Sequence, residues 1–269
     1  MTSDQLKQAC KIYVINRQQD TERRERVTSE LRSLGLDCEI VRAIDGYAID
    51  AHKAPEYDAK KRLRYFGRHM TEGEIGCLMS HRKVYKTMLD QSVSHALVLE
   101  DDVHFESDLP QTLEQLINNA DNWDIVRFIN KLKVLKSWHT TFDRLENKYA
   151  LELLQAAPGA AYAYMINEKA AKRILDVTQT NWLQIDVTHS RYWKTGLKTL
   201  CLIPAPVTHD YEIQSTIGEK RFDKNLQITG IAKLTHMLHR FWFKVSSSFL
   251  KRAHYIFQKS TYRYKPSQK

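Results

Sequence analysis

The spacing of apolar residues changes several times along the chain, and each change marks an element. Residues 11–15 (KIYVI) form a short run rich in β-branched residues and predict a strand. Asp20 is a candidate cap for a following helix, with Val27, Leu31 and Leu34 at helical spacing and Gly35 as its stop. Residues 38–43 predict a second strand. This strand–helix–strand opening implies an α/β fold built on a parallel sheet. Residues 47–70 are polar and basic without a clear period, and predict a long, mobile surface connection. Thr71 and Glu74 have capping-box spacing, and Ile75, Leu78, Met79, Val84, Tyr85, Met88 and Leu89 supply a broad apolar helix face. Further along, strands are predicted over 95–99, 124–129, 161–166 and 197–203, and helices over 109–120 and 168–177. Residues 131–155 are weakly patterned. From Ile231 to Ile256 helical periodicity returns. Ile231, Leu234, Leu238, Phe241, Val245, Phe249 and Ile256 lie on one side, with Lys233, His236, Arg240, Lys244, Ser247, Lys251 and His254 on the other.

Charge divides the 269 residues in the same place. The formal net charge is +9, and residues 230–269 contain nine Lys or Arg and no acid. Residues 1–229 are therefore electrically balanced. The expected organisation is a folded body over 1–229 and a basic amphipathic tail over 230–269. A nucleic-acid binder would spread basic charge over a working face of its folded domain, so that class loses support. No window offers the ~20 apolar residues of a membrane-spanning helix. No secretory signal is visible at the start, and Cys10, Cys38, Cys77 and Cys201 lie far apart without a CxxC pair, so reduced thiols in a cytosolic setting are expected.

The most informative chemistry is ALVLEDD (96–102), a buried strand running straight into Glu100, Asp101 and Asp102. Ligands of open α/β sheets gather at the carboxyl ends of strands. Three adjacent carboxylates repel one another unless a cation or strong donors compensate, and hard oxygen ligands suit Mg²⁺ or Mn²⁺. An acidic strand-to-loop turn with capping duties is the competing reading.

The motifs IYVINRQQDTERR, AIDG (43–46), TEGEIGCLMSHRKVY (71–85) and ALVLEDDV (96–103) occur in this order, followed by PGAAYAYMINEKAAKRIL (158–175) and IDVTHSRYWKTGL (185–197). Together they resemble glycosyltransferase family 25, the bacterial lipooligosaccharide transferases that include β-1,4-galactosyltransferases. The resemblance implies a GT-A-like, Rossmann-related nucleotide-sugar-binding fold and inverting transfer of a hexose. The donor it implies is UDP-galactose first, with UDP-glucose or UDP-GlcNAc as alternatives, and the acceptor a lipid-linked lipooligosaccharide core. It makes Asp102 the first metal ligand, with Glu100 and Asp101 as ribose or water-mediated contacts. Asn16 and Arg23 fit its nucleotide loop, and Asp45 of AIDG either meets the nucleotide or stabilises a turn. Glu74 and His81, two helical turns apart on one side, either line a cleft or serve as cap and core. Asp186 is the leading general base, with a helix cap as its alternative, and His189 a lesser one. His209 is a candidate second metal ligand after PAPVT, and Ser215, Thr216 and Gly218 are candidates to close over the diphosphate.

The tail fits the same picture. A basic amphipathic helix with aromatics suits an anionic membrane interface, where each basic residue contributes about 1 kcal/mol. The expected location is thus peripheral, on the cytoplasmic face of the bacterial inner membrane. The alternative is a helix packed on the body with its basic face in water. A non-catalytic, membrane-associated assembly protein is the rival from another class.

Overall fold

The computed structural model describes residues 3–146, 148–159, 161–210 and 225–261. In chain order they form α1 (Ser3–Ala9), β1 (Lys11–Asn16), α2 (Thr21–Ser33), β2 (Glu39–Arg42), α3 (Ala59–Phe66), α4 (Glu72–Asp90), β3 (His95–Glu100), β4 (Val103–Phe105), α5 (Leu109–Asn118), β5 (Ile125–Phe128), β6 (His139–Arg144) and β7 (Ala150–Leu154). There follow β8 (Ala163–Asn167), α6 (Glu168–Val177), α7 (Ile185–His189), α8 (Tyr192–Thr195), β9 (Thr199–Ile203), β10 (Val207–His209) and α9 (Gly230–Thr261).

Eight strands make one sheet in the order β2-β1-β3-β8-β5-β9-β7-β6, and β4 and β10 make a small second sheet. The β2-β1-β3 third is parallel, while β8 enters antiparallel between β3 and β5. Strand alternation builds a core on each face. Ile12, Val14, Leu97 and Leu99 point to the side covered by Val27 and Leu31 of α2 and by Leu109, Leu113 and Leu116 of α5. Tyr13, Ile15, Ala96 and Val98 point to the other, covered by Leu78, Tyr85 and Met88 of α4 and by Ala170 and Ile174 of α6.

The capping box of α4 forms as its spacing predicts: Thr71 Oγ1 accepts from Glu74 N, and Glu74 returns the bond to Thr71 N. Asp20 precedes α2 without capping it, because its carboxylate is held by Arg17 at 2.7 Å. The connection over 47–70 is ordered rather than patternless. It contains α3, started by Asp58 accepting from Lys61 N and stopped by Gly67 in the left-handed region at φ 70°. The weakly patterned stretch 131–155 contains the β6–β7 hairpin, which extends the sheet at one edge. The four cysteines are free thiols.

The long helix α9 packs on the body, but through the side opposite to its apolar stripe. His236 Nδ1–H donates to the Arg64 carbonyl at 3.0 Å, and Phe243 sits against Tyr65, Phe66 and Trp182 with ring centroids 5.3–5.7 Å apart. Further along, Tyr255 shares a hydrogen bond with Thr140. Ile231, Leu234, Leu238, Phe241, Trp242, Phe249 and Ile256 are all more than half exposed on the outward side. The helix does pack on the body, and Lys233, Arg240 and Lys244 are exposed as the packed alternative expects, but the apolar stripe is exposed as well. No described helix is long and apolar enough to cross a membrane.

Candidate active site

The three parallel strands β2, β1 and β3 end on the same edge of the sheet, and a pocket opens there. Its walls are Ile15, Arg17 and Asp20 after β1, Ala43–Tyr47 after β2, Glu100–Asp102 after β3, and Gly73, Cys77, Ser80 and His81 of α4. The register explains the meeting. Ile15 lies opposite Glu100, so the loops after β1 and β3 leave the sheet side by side.

The loop after β2 is held against α4 by two glycines. A Cβ on Gly46 would lie 1.8 Å from the Glu72 carbonyl oxygen, and one on Gly76 would lie 2.7 Å from Gly46 N and Ile44 O. Ser80 Oγ accepts from Ile44 N at 2.8 Å and completes the joint. The glycines of AIDG and GEIGC thus permit one close approach, and this approach carries Asp45 to the pocket.

The acidic triplet is braced from α2 and β1. Asn16 Nδ2 donates to Asp101 Oδ2 at 2.7 Å, and Arg23 lies 3.6 Å from Asp101 Oδ1. Burial pushes the Asp101 carboxyl up to about 6, against the lowering effect of the Asn16 bond and with a further push from Asp102. Arg26 donates to the carbonyls of Asp101 and Val103, both at 2.9 Å, and so fixes the backbone of the turn. Arg26 is absent from the sequence-based candidates, although it sits one helical turn after Arg23 on the same face of α2.

Asp102 meets His209 across the small sheet. β10 runs antiparallel to β4 with His209 opposite Val103, and His209 Nε2 lies 3.3 Å from Asp102 Oδ2. Asp102 Oδ1 is buried without a hydrogen-bond partner among the described residues. A carboxylate oxygen lacking a donor beside an imidazole nitrogen is a donor set that fits Mn²⁺. The His209 pKa is raised, first by its hydrogen bond to Asp102, so a proton and a cation compete for this pair.

The remaining candidates divide. His81 lines the pocket, with Nε2 3.4 Å from Glu100 Oε1. Cys77, His81 and Glu100 each bring one ligand atom within 4.8 Å of the others. The Cys77 thiol is held well above its usual pKa by burial and by the charges of Glu100, Asp186, Asp102 and Glu74, which makes it a poor thiolate donor. Glu74 does not line the pocket. Its carboxylate takes the Thr71 N–H, Gln184 Nε2 at 2.8 Å and Arg68 at 3.5 Å, which makes it a brace between α4 and the approach to α7. Asp186 is half-buried in the first turn of α7, outside the pocket lining but close enough for its charge to act on Cys77. Its Oδ2 faces Gly159, where a Cβ would lie only 2.7 Å away. The buried Arg127 ties these two segments together, donating to the Pro158 carbonyl and to Ser190 Oγ, both at 2.7 Å. His189 is 1% exposed and belongs to the core. Ser215, Thr216 and Gly218 lie outside the described residues.

The fold is a mixed α/β sheet with acids clustered where three of its parallel strands end, the place where ligands of open α/β sheets gather. The particular family follows from comparison. Residues 9–189 match the model of glycosyltransferase family 25 (LPS biosynthesis protein), and the chain belongs to that family. Human procollagen galactosyltransferase 2 is 32% identical over 123 residues, covering 43% of this chain and 20% of its own length. A glycosyltransferase 25 family member of Aedes aegypti is 34% identical over 127 residues, 45% of this chain and 21% of its own. The human inactive glycosyltransferase 25 family member 3 is 27% identical over 165 residues, 57% and 25% respectively. The matched segments thus amount to about a fifth to a quarter of these relatives.

Proposed function

We propose that the chain is an inverting, divalent-cation-dependent glycosyltransferase that moves a hexose from a UDP-sugar onto a lipid-linked lipooligosaccharide or lipopolysaccharide core. Galactose is the first choice of sugar, in keeping with the galactosyltransferase names among its relatives. The observation that carries this reading is the convergence of Asp45, Glu100, Asp101 and Asp102, with His209 beside them, at the ends of three parallel strands.

In this reading Asp102 and His209 hold Mn²⁺ or Mg²⁺. The cation's contribution when bound is to offset the negative charge that develops on the departing diphosphate. Asn16 and Arg23 hold Asp101 in place, Arg26 fixes the turn that presents all three acids, and Asp45 and Glu100 offer acceptors to ribose or sugar hydroxyls. Asp186 takes the proton of the attacking acceptor hydroxyl, a step that suits a carboxylate with one oxygen in the clearance left by Gly159.

The helix α9 supports a membrane-peripheral location, on the cytoplasmic face in this reading. Its outward side is apolar and aromatic, and residues 230–261 carry six Lys or Arg and no acid. Like charge disfavours pairing with a second copy of the same helix, whereas an anionic lipid surface complements it.

A panel of UDP-galactose, UDP-glucose and UDP-GlcNAc, with Mn²⁺ or with EDTA, tests the enzymatic reading through UDP release. Release from one donor that EDTA abolishes is the expected result. No release from any donor would favour a non-catalytic role.

A further inference from the structure

Behind the pocket lies an unbroken chain of buried polar side chains that the transfer reaction itself does not require. His189 Nε2 lies 2.8 Å from Tyr85 Oη, Tyr85 Oη 2.6 Å from Tyr164 Oη, and Tyr164 Oη 2.7 Å from His81 Nδ1. All four residues are at most 1% exposed. His81 Nε2 then faces Glu100 Oε1, where the chain meets the pocket. The links join α7, α4 and β8, since Tyr85 lies one turn after His81 on α4 and Tyr164 lies opposite Val98 of β3.

We propose that this chain is a positioning device for Glu100: it fixes His81 as the neutral imidazole protonated on Nε2, so that His81 donates to Glu100 Oε1 and leaves Oε2 for a hydroxyl of the ligand.

Counting protons gives the direction. Three links need three protons, and the two phenols supply two of them. The third comes from an imidazole at one end. If a singly protonated His81 supplied it from Nδ1, its Nε2 would present a lone pair to a carboxylate, acceptor against acceptor. If His189 supplies it from Nε2, every bond runs the same way: His189 to Tyr85, Tyr85 to Tyr164, Tyr164 to His81 Nδ1, and His81 Nε2–H to Glu100. The second arrangement satisfies every link and leaves only the lone pair of His189 Nδ1 without a partner among the described residues. Burial, then the charge of Arg127, hold His189 neutral, and burial first holds both phenols protonated, so these three members bring no charge of their own. A charge-assisted bond from a side chain locked on both ring nitrogens restricts Glu100 more than a surface partner would.

The ligand half of this inference rests on the donor-binding reading of the pocket, and the tautomer half does not. The test is ¹⁵N NMR of the full chain labelled on its histidine rings. His81 is expected to show a protonated Nε2 and a bare Nδ1. Tyr164→Phe, which removes the donor to Nδ1, is expected to mix the two tautomers, whereas Tyr85→Phe leaves Tyr164 as donor and His81 unchanged. A protonated Nδ1 in the wild type, or a His81 signal indifferent to Tyr164→Phe, would overturn the proposal. So would a bare Nε2 that appears on adding Zn²⁺, which would make Cys77, His81 and Glu100 a metal site. Calorimetry with UDP-galactose provides the second readout. His81→Gln, whose amide N–H reaches about where Nε2 stood, is expected to stay within about threefold of wild-type affinity, and His81→Asn to lose about tenfold. Equal losses in two folded variants would contradict positioning through Nε2. If the wild type itself fails to bind any UDP-sugar, the donor reading falls and the NMR result still decides the tautomer.

Discussion

His209 stands 3.3 Å from Asp102 because β10 pairs antiparallel with β4, the strand that begins immediately after the acidic triplet. A second bond from Asp210 N to the Asp102 carbonyl, at 2.8 Å, locks the same register. Residues separated by more than a hundred positions thus form one donor pair. Asp102→Asn and His209→Ala are each expected to weaken Mn²⁺-dependent binding of UDP by at least tenfold, about 1.4 kcal/mol, in calorimetry, while UDP binding in EDTA changes little. Undiminished Mn²⁺ dependence in both variants would remove the pair from the cation site.

The Gly46–Gly76 joint makes a sharper steric demand. A methyl at position 46 collides with the backbone of Glu72, which cannot turn aside as a side chain would. Gly46→Ala is expected to cost about 3 kcal/mol in chemical denaturation, at the upper end of overpacking costs, and to displace Asp45 from the pocket. Ser80→Ala removes the bond accepted from Ile44 N and the one donated to the Gly76 carbonyl, and is expected to cost about 1 kcal/mol. A stable Gly46→Ala protein would mean that the loop and α4 do not meet as described.

His189 gives the protein an acid limit. Burial, then the charge of Arg127, depress its pKa well below the ordinary 6.5, whereas the unfolded chain binds a proton near that value. Above pH 6.5 neither state is protonated and this group contributes no pH dependence. As pH falls below 6.5 only the unfolded state gains the proton, so stability declines by up to about 1.4 kcal/mol per pH unit. Unfolding free energies at pH 7.5 and 5.5 are expected to differ by less in His189→Gln than in the wild type. Equal differences would show that His189 is protonated in the fold.

The two sides of α9 make separable predictions. Phe241, Trp242 and Phe249 point outward, 60–70% exposed, so replacing all three with Ser is expected to leave the melting temperature within a degree or two and to abolish sedimentation with anionic vesicles. Phe243→Ala removes a ring packed against Trp182, Phe66 and the Arg191 guanidinium, and is expected to destabilise the protein by about 3 kcal/mol. Vesicle binding that survives the triple substitution would rule out the apolar face as the docking surface.

What the sequence made legible follows from the physics of each element. The strands before and after α2, the capped α4 and the strand ending in EDD carry strong apolar patterns bounded by caps and glycines, and their ends brought Asn16, Asp45 and the acids to one edge of the sheet. The β6 strand escaped because it alternates between exposed and half-exposed positions at a sheet edge, with no apolar run to mark it. Tyr85 and Tyr164 read as core aromatics, and only the fold reveals that their hydroxyls meet each other. In α9 the periodicity identified two faces but could not say which one meets the body. The usual rule would bury the apolar stripe, and here the aromatic ring of Phe243 and the polar groups around it make the contact instead.

The most direct test of the central claim is transfer itself. The protein is incubated with Mn²⁺, a truncated lipooligosaccharide core and UDP-galactose, and the product is read by mass spectrometry and by the NMR coupling of its new anomeric proton. The expected product is an acceptor heavier by one hexose, joined with the configuration opposite to that of the donor, with no such product from Asp186→Asn. An acceptor of unchanged mass with UDP-galactose, UDP-glucose and UDP-GlcNAc alike would contradict it.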